Sequence, residues 1–364
     1  MRSRSTASGR RSRGLTRGRS RDDHARRFRS GVAHPGDHLG RPSRWSPAMS
    51  ERPLRLRDHL LYRAIVTFLS GAGRLPLGVT RPVGAQVGAL VMALNARDRR
   101  RSRDHLRIAF PDLDERAVRE LLRRNAHHVG MLLAEVAWLL QATPEEVAAQ
   151  CTITGLEHVQ RPLDAGTGAV IITGHCGNWE LLNARLGVAG IPLTVAVRGM
   201  HDPRLDHIAT TLRSRFGAEM VPRGQDAGRR LLAALAANRV NGLLIDQDIK
   251  DIPGVFVPFF GRAAWTPFGA ASLALRRGCP VLPVFDHRLA DGRHLAEIHP
   301  PLPEPPPGPI EERITALTAD ATAAIERQVR DYPEQWVWMH RRWRRQPAAA
   351  AGGTLSGEGS AVAG

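Results

Sequence analysis

Apolar side chains at Val118, Leu121, Leu122, Val129, Leu132 and Leu133 return at three- and four-residue steps, with Asn125 on the same stripe. That is the period of an amphipathic helix, here from Asp114 to Leu140, with Asp114 as its N-cap. Thr143-Pro144-Glu145-Glu146 carries capping-box chemistry and starts a short second helix. Beyond Cys151 the pattern changes. Short apolar runs at 169–173, 193–197, 242–245 and 280–285 read as strands, and helical patterns near 179–188, 203–216, 227–238 and 267–277 alternate with them. This alternation predicts an α/β fold with a mixed, mainly parallel sheet flanked by helices. A Pro-rich loop at 300–309, a helix over about 310–330 and a polar low-complexity tail after Gln346 complete the chain, which has no internal repeat.

Upstream, Leu60 to Gly73 is apolar but contains Arg63 and is bounded by Asp58 and Arg74, and 82–96 offers 15 uncharged residues. A spanning helix needs about 20 predominantly apolar residues. These segments therefore read as an N-terminal helical membrane-associating segment, lying in an interface or packed as a hairpin, or equally as two core-packed helices. The basic run Arg97 to Arg107 suits anionic headgroups or a solvated helix face. The expected organisation is a disordered Arg-rich arm (1–50), a helical membrane-associating region (51–150), an α/β core (151–345) and a disordered tail (346–364).

The 364 residues are 42% hydrophobic and 24% charged, enough to build a sizeable core. The formal net charge of +17 invites a nucleic-acid-binding reading, but its distribution weakens it. Residues 1–48 hold 13 Arg against Asp22, Asp23 and Asp37, a net of +10, leaving +7 for the other 316 residues. Lys250 is the single lysine, so the arginine richness looks compositional. Met49-Ser50-Glu51 resembles a second start, and no apolar stretch in the arm suits a secretory signal. Cys151, Cys176 and Cys279 are an odd, dispersed set that indicates neither a disulfide framework nor a zinc ribbon.

Chemistry concentrates in residues 170–181, VIITGHCGNWEL. A buried strand delivers His175 at its carboxyl end, turns through Gly177-Asn178 and enters a helix whose first turn holds Trp179 and Glu180. Ligand sites in open α/β sheets gather at such strand ends. In one continuous helix, positions five apart point in different directions, since each residue advances by about 100°. The Gly-Asn turn lets Glu180 reach back to one imidazole nitrogen and leaves the other to act as general base. A satisfied structural pair would read the same way. No spacing around His175 suits a metal, and nothing in the sequence lowers the Cys176 thiol pKa.

GHCGNWE resembles the signature of the glycerolipid acyltransferase superfamily, and of its lipid A biosynthesis acyltransferase branch in particular. The resemblance covers about residues 51 to 346 in ordered blocks. His105-Leu-Arg-Ile-Ala-Phe110-Pro111, Arg198 with Asp202-Pro203 and Asp206, Asp246-Gln-Asp248, Gly254 to Gly261 (GVFVPFFG), and Tyr332 to Trp343 (YPEQWVWMHRRW) are each similar to a family segment. The resemblance implies that His175 deprotonates an acceptor hydroxyl, which attacks an acyl thioester without an acyl-enzyme, while Glu180 orients the histidine. It implies substrate contacts for Arg198, Asn178, Asp246, Asp248 and Arg341, with no metal and no cofactor. Arg198 suits a phosphate or the oxyanion, unless it pairs with Asp202. The Phe256, Phe259 and Phe260 run suits sheet packing or an acyl channel, and the Trp336 to Trp343 cluster a headgroup-level surface or a packed helix. The implied partners are acyl carrier protein as donor, a lipid A precursor or related glycolipid as acceptor, and the cytoplasmic face of the inner membrane. A phosphatidylinositol mannoside is the alternative acceptor. Two features depart from the branch: a shorter apolar N-terminal helix, and Cys176 where an aromatic residue is usual.

Overall fold

The structure, a computed structural model, describes residues 56–347. The Arg-rich arm, the second start and the tail beyond residue 347 lie outside the described residues.

A seven-stranded sheet carries the fold. Its strands are β1 (Cys151–Thr154), β2 (Ala169–Thr173), β3 (Leu193–Val197), β4 (Glu219–Pro222), β5 (Val240–Leu244), β8 (Val281–Arg288) and β9 (His294–Ile298), in the order β1-β9-β8-β2-β5-β3-β4. All neighbours are parallel except the antiparallel β8–β9 pair. β2 sits at the centre and all five of its residues are buried. Successive side chains of a strand face opposite sides, so Val170 and Ile172 join one apolar core while Ala169 and Ile171 join the other. Burial on both faces explains why this strand reads as a continuous apolar run.

Helices α5 (Pro144–Gln150), α6 (Leu156–Asp164), α7 (Trp179–Val188), α8 (Pro203–Ser214), α9 (Ala227–Ala236), α10 (Gly269–Arg277) and α11 (Ile310–Asp331) accompany the sheet. The mixed, mainly parallel α/β architecture is the one the alternation predicts. Three short strands, β1, β4 and β9, are not signalled by apolar runs. β1 and β4 are edge strands of four residues, and β9 buries His294 as one of its inward positions, which hides its alternation. The GVFVPFFG segment, also unassigned by periodicity, forms an antiparallel hairpin of β6 (Gly254–Phe259) and β7 (Arg262–Pro267).

At the N-terminal side lie α1 (Leu56–Ala72), α2 (Leu77–Leu94), α3 (Ala96–Ala109) and α4 (Glu115–Leu139). Asp114 caps α4 by accepting from the Ala117 amide at 2.7 Å, and the Thr143–Glu146 capping box forms at α5. Gly84 and Gly88 of α2 meet Gly130 of α4 so closely that a Cβ on Gly130 would overlap the Gly84 carbonyl. The basic α3 turns Ser102, His105, Leu106 and Ala109 inward, and Arg103 and Arg107 both reach Glu115. Among the described residues, α2 alone is long and apolar enough to cross a membrane, and only 22% of it is buried. Val79, Val83, Val87, Leu90, Val91 and Leu94 are exposed on it, as are Leu60, Leu61 and Phe68 on α1. Two fully core-packed helices are therefore not what the chain builds.

Candidate active site

The His175 turn is fixed from both sides. Gly177 has φ +55°, and a Cβ there would overlap the Asp286 backbone, so the bend requires glycine. Asn178 caps α7: its Oδ1 accepts from the Leu181 amide at 3.0 Å, while its Nδ2 donates to Glu135 Oε2 at 2.9 Å. On the other side the C-terminal segment pairs with the turn. The Gly177 amide donates to the Gln335 carbonyl at 2.9 Å, the Val337 amide donates to the His175 carbonyl at 3.1 Å, and Cys176 bridges Trp336.

The carboxylate that meets the imidazole belongs to Asp246, not Glu180. Asp246 follows β5, which pairs with β2 in a register placing Leu244 beside Thr173. Its Oδ1 lies 2.7 Å from His175 Nδ1, and its Oδ2 accepts from the His175 amide at 2.7 Å and from Trp336 Nε1 at 2.9 Å. Burial alone would raise this carboxyl, but the facing His175 imidazole and its hydrogen bonds hold it well below the usual carboxylate range. The charged acid fixes the proton on Nδ1 and leaves Nε2 as the nitrogen with a free lone pair. The His175 side chain is 18% exposed.

Glu180 turns elsewhere. In the first turn of α7 it faces α8, where Arg213 grips it through Nε at 3.0 Å to each oxygen and through Nη2 at 2.6 Å, and Trp179 Nε1 donates to it at 3.2 Å. The expectation of a direct His175–Glu180 contact is thus corrected: the capped helix carries Glu180 to Arg213, and the neighbouring strand supplies the acid. Arg213 itself carries no signal in the sequence.

His175, Trp179, Glu180 and Arg213 line a cavity of about 1270 Å³. Leu182, Leu186, Leu231 and Leu273 give it apolar walls, and Arg198, Arg223, Arg229, Lys250, Arg276 and Arg344 make it cationic. Arg198 follows β3, two strands from β2, and is exposed. It is not paired with Asp202, which binds Arg204 instead. Arg223 follows β4, and its pKa is lowered by burial and by the nearby Arg198 charge. Arg198 and Arg223 have no carboxylate partner among the described residues.

The other candidate residues divide. Asp248 lines the cavity, but its carboxylate is taken by Arg344 and by the Arg345 amide and guanidinium. Asn178 and Asp246 are buried behind the cavity wall, and Arg341 is exposed and does not line it. The closing aromatic cluster is not a headgroup-level surface. Trp336, Trp338 and Trp343 are buried, and Arg342 is fully buried where it donates to the Trp265 carbonyl and Thr266 Oγ1, both at 2.7 Å. Phe259 and Phe260 join this core rather than the cavity, while Phe256 packs edge-on against Trp265. From this segment His340 reaches the site: its ring centroid lies 4.6 Å from that of His175. Cys176 is buried, and burial followed by the Asp246 charge pushes its thiol far above its ordinary value, which denies it a nucleophile's role.

A second polar cluster, unforeseen from the sequence, backs the turn. Glu135 of α4 is fully buried and accepts from Arg81 Nε at 2.7 Å, from Arg288 Nε and Nη2 at 2.9 and 2.7 Å, and from Asn178. His294 bridges Glu135 at 3.2 Å and Asp286 at 2.7 Å. His128, also on α4, donates from Nε2 to the Gly177 carbonyl at 3.0 Å while its Nδ1 accepts from Arg288 at 2.7 Å. The only sequence trace was polar residues falling on the buried stripe of α4.

Comparison with known proteins identifies the family. A lipid A biosynthesis lauroyltransferase of Escherichia coli is 27% identical over 275 residues, covering 75% of this chain and 88% of the relative. A lipid A biosynthesis acyltransferase of Haemophilus influenzae is 24% identical, covering 75% and 84%. A phosphatidylinositol mannoside acyltransferase of Mycolicibacterium smegmatis is 30% identical over 197 residues, 53% of this chain and 62% of the relative. Residues 51–345 match the profile of the bacterial lipid A biosynthesis acyltransferases. With a histidine-bearing strand end opening on a large apolar and cationic cavity, the chain is an acyltransferase and belongs to the bacterial lipid A biosynthesis acyltransferase family.

Proposed function

We propose that the chain moves a fatty acyl group from an acyl thioester to a hydroxyl of a glycolipid, with His175 as general base and Asp246 as the acid that orients it. The observation carrying this reading is the 2.7 Å contact of His175 Nδ1 with Asp246, which leaves Nε2 for substrate at the cavity. In the reaction the acceptor hydroxyl gives its proton to Nε2 as its oxygen bonds to the thioester carbon. The tetrahedral oxyanion collapses, the C–S bond breaks, and the departing thiolate takes the proton back from the imidazolium. Asp246 stabilises that imidazolium. Glu180 acts through Arg213, holding a cation in the cavity wall, where it favours developing negative charge.

The apolar walls suit the acyl chain. Arg198 and Arg223 suit phosphate on the acceptor or on a phosphopantetheine donor. Arg198 stands two strand spacings, about 10 Å, from the histidine-bearing strand, a separation that lets one glycolipid offer a phosphate and a reacting hydroxyl together. A carrier protein is acidic and fits the same cationic mouth. The exposed apolar faces of α1 and α2 support peripheral or anchored attachment at the cytoplasmic face of the inner membrane, where thioester and glycolipid meet.

The acceptor has two readings, a lipid A precursor and a phosphatidylinositol mannoside. The broader coverage of the lauroyltransferase, 75% of this chain and 88% of the relative, favours the first, and the 30% identity of the mannoside enzyme the second. Mass spectrometry of lipids from cells with and without the gene decides: a glycolipid lacking one acyl chain names the acceptor, and an unchanged lipid profile contradicts the reading. In the purified protein, His175→Ala loses transfer by about a thousandfold, the range of a lost general base; near-normal turnover in the folded variant removes His175 from the mechanism.

A further inference from the structure

A glycine stands inside a buried central strand with no local reason for it. Gly242 is the middle residue of β5, between β2 and β3, and its register neighbours are Ile171 and Val195. Glycine weakens a strand interior, and where it persists it marks a bulge, a tight bend or the close approach of another group. The ladder with β2 runs without a bulge from Ala169–Val240 to Thr173–Leu244, and Gly242 is not one of the glycines with positive φ. Among the described residues the one atom within 4 Å of an added Cβ is Val195 Cγ2, at an ordinary 3.5 Å, whereas a Cβ on Gly254 would lie 2.5 Å from the Thr266 carbonyl. What Gly242 faces is the cavity, which it lines together with Ile171 and Val195. Val240, two residues earlier on the same side of the strand, shares an apolar cluster with Ile171, Leu182 and Leu186, and Val195 packs against it. The missing side chain thus leaves a notch in the cavity floor, opposite α7.

We propose that this notch seats the donor's acyl chain and that Gly242 sets how long a chain the enzyme transfers. Ile171, beside Gly242, lies four residues before His175, about 13 Å at the rise of a strand. The His175 ring stands edge-on to Trp179 of α7, with centroids 4.9 Å apart, so the base and the notch are both served by this helix. The donor chain starts at the carbon under attack, so its reach is measured from His175. Running between the sheet and α7, it brings its distal methylenes to the notch, and Leu193 lines the cavity two residues deeper in β3. Ile171, Val195, Leu182 and Leu186 carry no charge, whereas Arg198 and Arg223 follow the carboxyl ends of β3 and β4. Charged groups therefore stay at the rim and hydrocarbon takes the interior. Each methylene buried there strengthens binding about fourfold.

This inference rests on the proposed acyltransferase chemistry and is tested on the full-length protein. Equimolar saturated donors of even length, hexanoyl to hexadecanoyl, are supplied as coenzyme A and as acyl carrier protein thioesters, with a glycolipid extract from cells lacking the gene as acceptor. Mass spectrometry reads the length of the chain added. Gly242→Val shortens the preferred chain by at least two carbons and lowers the preference for the wild type's best donor over hexanoyl about fifteenfold, the worth of two methylenes kept from apolar surface. Gly242→Ala, whose Cβ has room beside Val195, moves the profile the same way by about fourfold and keeps the test decisive if the valine variant does not fold. If the wild type transfers normally and variants that melt like it keep its chain-length profile, the acyl seat is overturned while the acyltransferase reading stands. A changed preference among acceptor lipids with an unchanged donor profile gives the notch to an acceptor chain and overturns it equally. A wild type that acylates no lipid from the extract contradicts the acyltransferase reading, and the seat with it.

Discussion

Two histidine–carboxylate clusters touch the same turn, and they differ in what is left over. In one, His175 commits Nδ1 to Asp246 and its ring lines a large cavity. In the other, His294 commits one nitrogen to Asp286 and the other to Glu135, and all three side chains are buried. The residue types match, yet only the first histidine is open to a cavity, which is why the proposed mechanism gives it the proton transfer. A histidine beside an acid is thus a base only where one nitrogen remains unspent and reachable. The second cluster uses the same chemistry to hold structure, joining α2 through Arg81, β8 through Arg288, and the His175 turn through Asn178 and His128.

This contrast can be broken most severely by removing the charge at the centre of the buried cluster. Glu135→Ala leaves Arg288 buried without its carboxylate and strips His294 of one of its two carboxylates, leaving Asp286, and should cost about 3–5 kcal/mol of stability, read as a lowered midpoint in denaturant unfolding. The same change spares the His175–Asp246 contact itself, so whatever folded protein remains should retain measurable transfer.

A milder probe is pH. Burial would lower His294, but Asp286 and Glu135 raise it to about 9 from an ordinary 6.5. A raised folded value means that its stabilisation is complete below pH 6.5 and is lost as pH rises through about 9, at most roughly 1.4 kcal/mol per pH unit for one proton. His340 has the opposite sign: with its pKa pushed down to about 4, its contribution is present above pH 6.5 and is lost as pH falls toward 4. Thermal melts across this range should therefore decline on both flanks. Loss of the alkaline decline in His294→Gln would assign it to this residue, and its persistence would not.

What the sequence revealed of these two regions follows from locality. The His175 strand, its glycine bend and its capped helix are contiguous, so their pattern was legible. Asp246 was legible as a member of a motif but not as the partner of His175, because that contact depends on β5 lying beside β2, a crossover no local spacing records. The near position of Glu180 made it the natural choice, and only the direction of α7 sends it to Arg213. The buried role of Trp336 to Trp343 was hidden similarly: a run of indoles and cations reads as a headgroup surface until Arg342 finds its acceptors on β7. The Glu135 cluster draws residues from four helices and strands, and its members looked like ordinary polar positions. The sheet itself was easier, since β2 and β8 are buried along nearly their whole length.

The proposed catalysis depends on which acid serves His175. Replacing each carboxylate by its amide, one at a time, and measuring kcat for acyl transfer in variants that melt like the wild type decides it directly. Asp246→Asn should lower kcat about a hundredfold or more with KM little changed, because the imidazole loses its tautomer and its counter-charge, whereas Glu180→Gln should cost about tenfold through Arg213. A wild-type kcat in Asp246→Asn, or a larger loss in Glu180→Gln, would return the orienting role to Glu180 and contradict the pairing on which the mechanism rests.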